Sequence, residues 1–193
     1  PPEEAPTSMK STKLAGLFYS GRYQPDRRID FNGFLWKRAG GNVLIDPMPL
    51  DEGEQAFLRE QGGASWILVT NADHLRAAPE LAQALGARIA APEGERARLG
   101  DQAARVDHWF DGRDSLPDGL GSEIDVRSLG GGKSEREAQL VIEPLRALVC
   151  SDLIRSHESG VLRLLPEPKL SDAARAAADV RALGTDFDAV LLG

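Results

Sequence analysis

The sequence predicts a mixed α/β fold in which two sheets pack together with helices outside. Three observations predict it. Strand-like and helix-like segments alternate through the first half, as strand–helix–strand units do. The middle of the chain turns to short strands separated by Gly, Asp and Pro turns. The end pairs an amphipathic helix with a final apolar strand.

In chain order, Phe31–Trp36 and Asn42–Ile45 read as strands joined by a turn at Ala39-Gly40-Gly41. Asp46-Pro47-Met48-Pro49 stops the second, because proline cannot donate to a ladder. Glu52–Glu60 reads as a short helix ended by Gly62-Gly63. Ser65–Val69 is a continuous apolar run, the pattern of a strand covered on both faces. Leu75, Ala78, Leu81, Ala82 and Leu85 fall at helical spacing, with Gly86 as the stop. Arg88–Ala91 is a further strand. Val106–Phe110, Glu123–Leu129, Ala138–Ile142 and Ala147–Cys150 form the antiparallel-looking middle. Ser171 can cap a last helix running to Leu183, and Ala189–Leu192 is the final strand.

The chain has 193 residues, enough for one domain with a real core. A flexible tail is expected over residues 1–12 and a single domain over residues 13–193. Net charge is −7, from 23 Lys+Arg against 30 Asp+Glu, and no basic stripe interleaves with aromatics. Nucleic acid is therefore not an expected partner. No apolar stretch is long enough for a bilayer-spanning helix. A single cysteine excludes an internal disulfide framework and fits a reducing compartment, so a cytoplasmic location is expected. An exposed Trp36/Trp109 region leaves a homodimer open.

Four local matches resemble the metallo-β-lactamase superfamily over roughly residues 30–193. Val43-Leu44-Ile45-Asp46 is similar to an early strand ending in Asp. Val69-Thr70 followed by Asp73-His74 and the helix after it resembles the T-H-x-H-x-D-H loop. Leu129–Leu140 stands where a glycine-histidine segment precedes a strand. Leu148-Val149-Cys150-Ser151-Asp152 is similar to the strand ending in the Asp that bridges two metals. The resemblance implies a four-layer αββα sandwich.

The departures bear on chemistry. Only His74, His108 and His157 are present. A loop shortened by two residues keeps Asp73 and His74 in their family places and keeps the following helix in register. An ungapped alignment instead sets Asn71 and Asp73 on two histidine positions and Arg76 on a third. Counting back from Leu140 sets Lys133 where a histidine would stand, and the family's last histidine would follow the final strand. Asp73, His74 and Asp152 are thus the candidate catalytic and metal-ligating residues, with Asn71 and Lys133 as candidate binding residues. A catalytic zinc site needs about three such ligands and an open position for water. Here the set would hold one poor site, and a dinuclear centre is not expected. Lys133, and Arg76 in the ungapped alignment, could supply a fixed cation in place of metal charge.

Plainer readings stand beside these. His74 can be a helix-start residue bonded to nearby backbone, Asp73 an N-cap, Asp152 half of a buried pair, and Gly130–Lys133 a flexible turn. The phosphate-loop spacing is missing there. His108 reads as strand surface, His157 as a turn residue and Cys150 as buried strand. No G-x-S-x-G turn supports a serine hydrolase. Two functions follow. One is a protein of this fold with a degenerate metal site, non-catalytic or weakly active, binding a small-molecule ligand without a cofactor. The alternative is a metal-dependent hydrolase of an ester, thioester or lactone, with a single zinc, iron or manganese ion.

Overall fold

A computed structural model describes residues 8–158 and 160–193. The described residues form two compact units: those up to Leu68 with Leu75–Ile89, and Val69–His74 with those from Ala90 onward. Each is mixed α/β, as the sequence predicts. No helix among the described residues is long and apolar enough to cross a membrane.

In the first unit, strand β1 (Lys10–Ser11) pairs antiparallel with β2 (Leu17–Gln24), and β2 with β3 (Ile29–Trp36). The third pairs antiparallel with β4 (Val43–Ile45), which runs parallel to β5 (Trp66–Leu68). Of the expected tail, residues 1–7 lie outside the described residues. Its later part is not a tail: Met9 is buried and Lys10–Ser11 are strand. Trp36 is buried at 3% exposure rather than exposed, because it closes the β3 end of this sheet opposite Leu17.

Helix α1 (Glu52–Glu60) has the expected bounds. Asp51 accepts from the Glu54 backbone, and the Glu54 carboxylate accepts from the Asp51 backbone, a reciprocal cap. Glu54 also binds Arg22 and the Ser20 hydroxyl. Burial raises its pKa, but the Arg22 and Ser20 bonds outweigh this, and the net shift is downward. Helix α2 spans Ala78–Leu85 and ends on left-handed Gly86. It starts three residues later than expected, because Arg76 adopts φ +38° and interrupts the turn. Its N-cap is therefore Ala77, not Asp73. Arg76 bonds the Asn32 and Asp46 carbonyls and lies over the Phe31 ring.

Strand β6 (Arg88–Pro92) begins in the first unit and runs into the second, where Ala90–Pro92 pair parallel with β7 (His108–Phe110). A short helix α3 (Arg96–Leu99) lies between them. Strands β8 (Ile124–Leu129), β9 (Glu137–Ile142) and β10 (Ala147–Cys150) form the expected antiparallel meander. The hairpin of β11 (Ile154–Glu158) and β12 (Val161–Leu164) follows, so His157 is a strand residue and not a turn. Of the segment in which it was read, Ser159 lies outside the described residues. Helix α4 (Ala173–Ala182) is capped by Asp172, whose carboxylate accepts from the Arg175 backbone, one residue beyond the expected Ser171. Strand β13 (Ala189–Leu192) joins β10 in parallel. Ala176 and Leu183 pack on Leu129, Val141, Leu148 and Cys150, fixing the helix end of the unit to its sheet.

Candidate functional site

All five sequence-derived candidates lie in the second unit. Asn71 shapes the loop after β5. Its side-chain oxygen accepts from the His74 backbone at 3.0 Å, closing a short turn over Ala72–His74. Its amide donates to Ser151 Oγ at 2.5 Å, and the Thr70 hydroxyl donates to the same oxygen at 3.1 Å. Asn71 is buried, so it builds the loop rather than meeting solvent.

His74 is 2% exposed. Its Nδ1 lies 3.2 Å from Thr70 Oγ1 and its Nε2 3.2 Å from Asp152 Oδ1. An ionised carboxylate can only accept, so the Nε2 proton is fixed by its partner. Asp152 follows β10 immediately after Ser151, whose backbone N–H is held by Gln139 Oε1 at 2.8 Å. Burial pushes the Asp152 carboxyl upward, but His74 and then Lys133 outweigh it. The net effect holds it well below the usual carboxylate range.

Lys133 Nζ donates to Asp152 Oδ2 at 2.5 Å and to Asp73 Oδ2 at 3.1 Å. Desolvation pulls its pKa down, yet the bonds and charges of the two carboxylates raise it overall. The glycines before it are packed against the start of α4. Gly131 has φ +78°, and a Cβ there would lie 2.3 Å from the Asp172 carbonyl and 2.7 Å from the Ala176 nitrogen. The loop can approach the start of α4 this closely only as glycine. The Ser171 N–H donates to the Gly131 carbonyl at 3.0 Å, and the Gly130 N–H to Asp179 Oδ2 at 2.8 Å.

The structure adds residues that sequence reasoning missed. Arg98 Nη2 lies 3.2 Å from Asp73 Oδ1, and its Nη1 lies 3.1 Å from Glu95 Oε2. Glu95 is fully buried and accepts from the Ala72 N–H at 2.7 Å. The i,i+3 spacing of Glu95 and Arg98 is the only sequence signal for that pair. Glu137, at the start of β9, accepts from the Leu153 N–H at 2.7 Å and the Gln139 amide at 3.0 Å. Its burial pushes the carboxyl up to about 7. Contacts thus run from Glu95 through Arg98, Asp73, Lys133 and Asp152 to His74. His108 bonds the Ser115 carbonyl, and His157 is exposed on β11. Cys150 is fully buried with its thiol pushed up to about 12, no setting for a nucleophile. Among the described residues no three His, Cys, Asp or Glu side chains form a group that could hold a metal ion.

The metallo-beta-lactamase superfamily model matches residues 9–193. The chain belongs to the metallo-β-lactamase superfamily. Solved structures agree on the fold of this family member. A metallo-beta-lactamase from Pontibacter korlensis is 16% identical with TM-score 0.73, covering 96% of this chain and 90% of that one. DIM-1 metallo-beta-lactamase is 16% identical with TM-score 0.71, at 96% and 87% coverage. FIM-1 from Pseudomonas aeruginosa, in its mono-zinc form, is 14% identical with TM-score 0.69, at 99% and 88% coverage. No curated protein matches the sequence. The mixed α/β fold read from the sequence is therefore the metallo-β-lactamase fold.

Proposed function

We propose that this metallo-β-lactamase-fold protein is a non-hydrolytic or weakly active small-molecule-binding module, in which the Lys133 ammonium balances the charge that a metal would balance in a hydrolytic site. The observation that carries this reading is the position of Lys133 Nζ, 2.5 Å from Asp152 Oδ2 and 3.1 Å from Asp73 Oδ2.

The donor set does not fit a catalytic zinc ion. Such an ion takes about three protein ligands and leaves one position open for water. Here Asp152 spends one oxygen on His74 and the other on Lys133. Asp73 spends its two on Lys133 and Arg98. The single nearby imidazole bonds Thr70 and Asp152. A metal would have to displace two cations and would arrive at one histidine. The lone buried Cys150 suits a reducing compartment, and a cytoplasmic location is part of the same reading.

Elemental analysis of protein purified without chelators, with thermal unfolding measured with and without added zinc, tests the reading. The expected result is sub-stoichiometric metal and an unchanged Tm. Stoichiometric zinc, iron or manganese that survives dialysis would overturn it.

One contact favours a second reading. His74 Nε2 beside Asp152 Oδ1, at 3.2 Å, sets an imidazole next to a carboxylate. With Asp73, these could serve a mononuclear hydrolase of an ester, thioester or lactone once Lys133 swings away. Zinc-dependent ester hydrolysis that disappears in His74→Ala would select this alternative.

A further inference from the structure

The same two loops that carry the ion network also wall a separate cleft. Glu93 and Gly94 precede Glu95, and Arg136 follows Lys133; together they line a cleft of about 220 Å³. Its apolar wall is Pro92, Phe110, Val126 and Ala138, of which Phe110 and Ala138 are each 1% exposed. Ser128 and Arg136 bring the polar groups, with Glu93 and Asp111 at the same wall.

The polar groups divide into engaged and unengaged. Glu93 pairs with Arg96 at 2.8 Å. Asp111 accepts from the Ser115 hydroxyl at 2.9 Å. Among the described residues, neither the Arg136 guanidinium nor the Ser128 hydroxyl has a hydrogen bond or ion pair. What the cleft offers a ligand is therefore a planar cationic fork, a hydroxyl donor and an apolar wall. That combination matches a carboxylate attached to an apolar body, since a guanidinium pairs with a carboxylate through two parallel bonds. Small-molecule sites are commonly built this way, mostly apolar with a few placed polar groups. Gly94 belongs to the arrangement: a Cβ there would lie 2.8 Å from the Arg136 Cβ and 3.3 Å from its carbonyl, so glycine lets the loop lie against Arg136.

We propose that this cleft binds a small monocarboxylate, its carboxylate on Arg136 and Ser128 and its apolar body against Phe110, Val126 and Ala138. This names the ligand class for the binding module and rests on that reading. The ligand is bound, not transformed: the site requires no bond to form or break.

The test is titration of the whole chain in EDTA-containing buffer with benzoate, with neutral benzamide of the same shape, and with inorganic phosphate. Benzoate is expected to bind saturably by calorimetry and to raise Tm, while benzamide and phosphate leave both unchanged. Arg136→Met should weaken benzoate on the order of tenfold, the loss of one charge-assisted pair. Gly94→Ala should weaken it by displacing Arg136. Arg136 is exposed, so its loss leaves the fold intact and unfolding of the variant confirms this. Absence of benzoate binding, equal binding of phosphate, or binding indifferent to Arg136→Met would overturn the proposal. Metal content is measured separately. Stoichiometric metal with Arg136-dependent benzoate binding would sink only the metal-free reading; metal-free protein that ignores benzoate would sink only the ligand assignment.

Discussion

Lys133 and Asp152 meet at 2.5 Å, the lysine side chain 29% and the aspartate side chain 12% exposed. A carboxylate so nearly enclosed needs a cation, and removing one partner of such a pair leaves an uncompensated charge. Lys133→Met should lower the unfolding free energy at pH 7 by about 2 kcal/mol, below the cost of a fully buried pair because the lysine is partly wet and His74 remains. Lys133→Met combined with Asp152→Asn should recover part of the loss. Urea unfolding measures both, and a single variant as stable as the wild type would remove Lys133 from its assigned role.

Gly131 should tolerate a methyl far less well than Gly86. Both have positive φ, +78° and +68°, but nothing lies within 4 Å of a Cβ at Gly86, whereas one at Gly131 meets the α4 backbone. Gly86→Ala should cost about 1 kcal/mol from backbone conformation alone. Gly131→Ala should cost clearly more and should also displace Lys133. Chemical unfolding of the two variants, with lysine-selective NMR for the ammonium, distinguishes them. Equal costs would mean that the glycine loop is not docked on α4.

Which parts of this were legible follows from how locally each is encoded. Helix α1 could be read to the residue because its cap, Asp51 with Glu54, sits within four positions. Helix α2 could not, since the break at Arg76 is stabilised by the Asn32 and Asp46 carbonyls, far off in sequence. Strand β2 was missed because polar Ser20, Gly21 and Arg22 interrupt its apolar start, and its pairing with β3 supplies the rest. In the site, Asp73, His74, Lys133 and Asp152 could be found because a family register aligns them. Glu95, Arg98 and Glu137 carry no motif beyond the i,i+3 spacing of the first two; only the path of the chain brings them near the other candidates. Asn71 was singled out by its position in the family register, and its contact with Ser151 reads as loop construction.

Glu137 should make the protein less stable as pH rises through neutrality. Its pKa goes from an ordinary 4.5 to about 7 in the folded state, chiefly by burial. The native state therefore binds the proton more tightly than the unfolded chain. That contribution is fully present below about 4.5 and is lost as pH climbs to 7, a change on the order of 3 kcal/mol. Asp152 acts in the opposite sense: its depressed pKa stabilises above the unfolded value and fails in acid. Glu137→Gln keeps an oxygen for the Leu153 and Gln139 donors and carries no charge. Denaturation at stepped pH should show its stability flat between 4.5 and 7 where the wild type falls. Parallel curves would show that Glu137 stays ionised.

If the proposed metal-free reading holds, Lys133→His should create a zinc site. The substitution removes the ammonium from Asp73 and Asp152 and adds an imidazole at position 133, so that His74, the new imidazole and the two carboxylates make a set of two nitrogen and two carboxylate donors. Metal that binds only the folded state raises its stability in proportion to the logarithm of concentration over Kd. Zinc should thus raise the Tm of Lys133→His, EDTA should reverse the rise, and the wild type should be indifferent to both. Lys133→Met is the control, since it clears the carboxylates without supplying a ligand and should bind zinc more weakly. If zinc stabilises wild type and Lys133→His alike, the ammonium yields to metal readily, and the mononuclear hydrolase becomes the better account of this site.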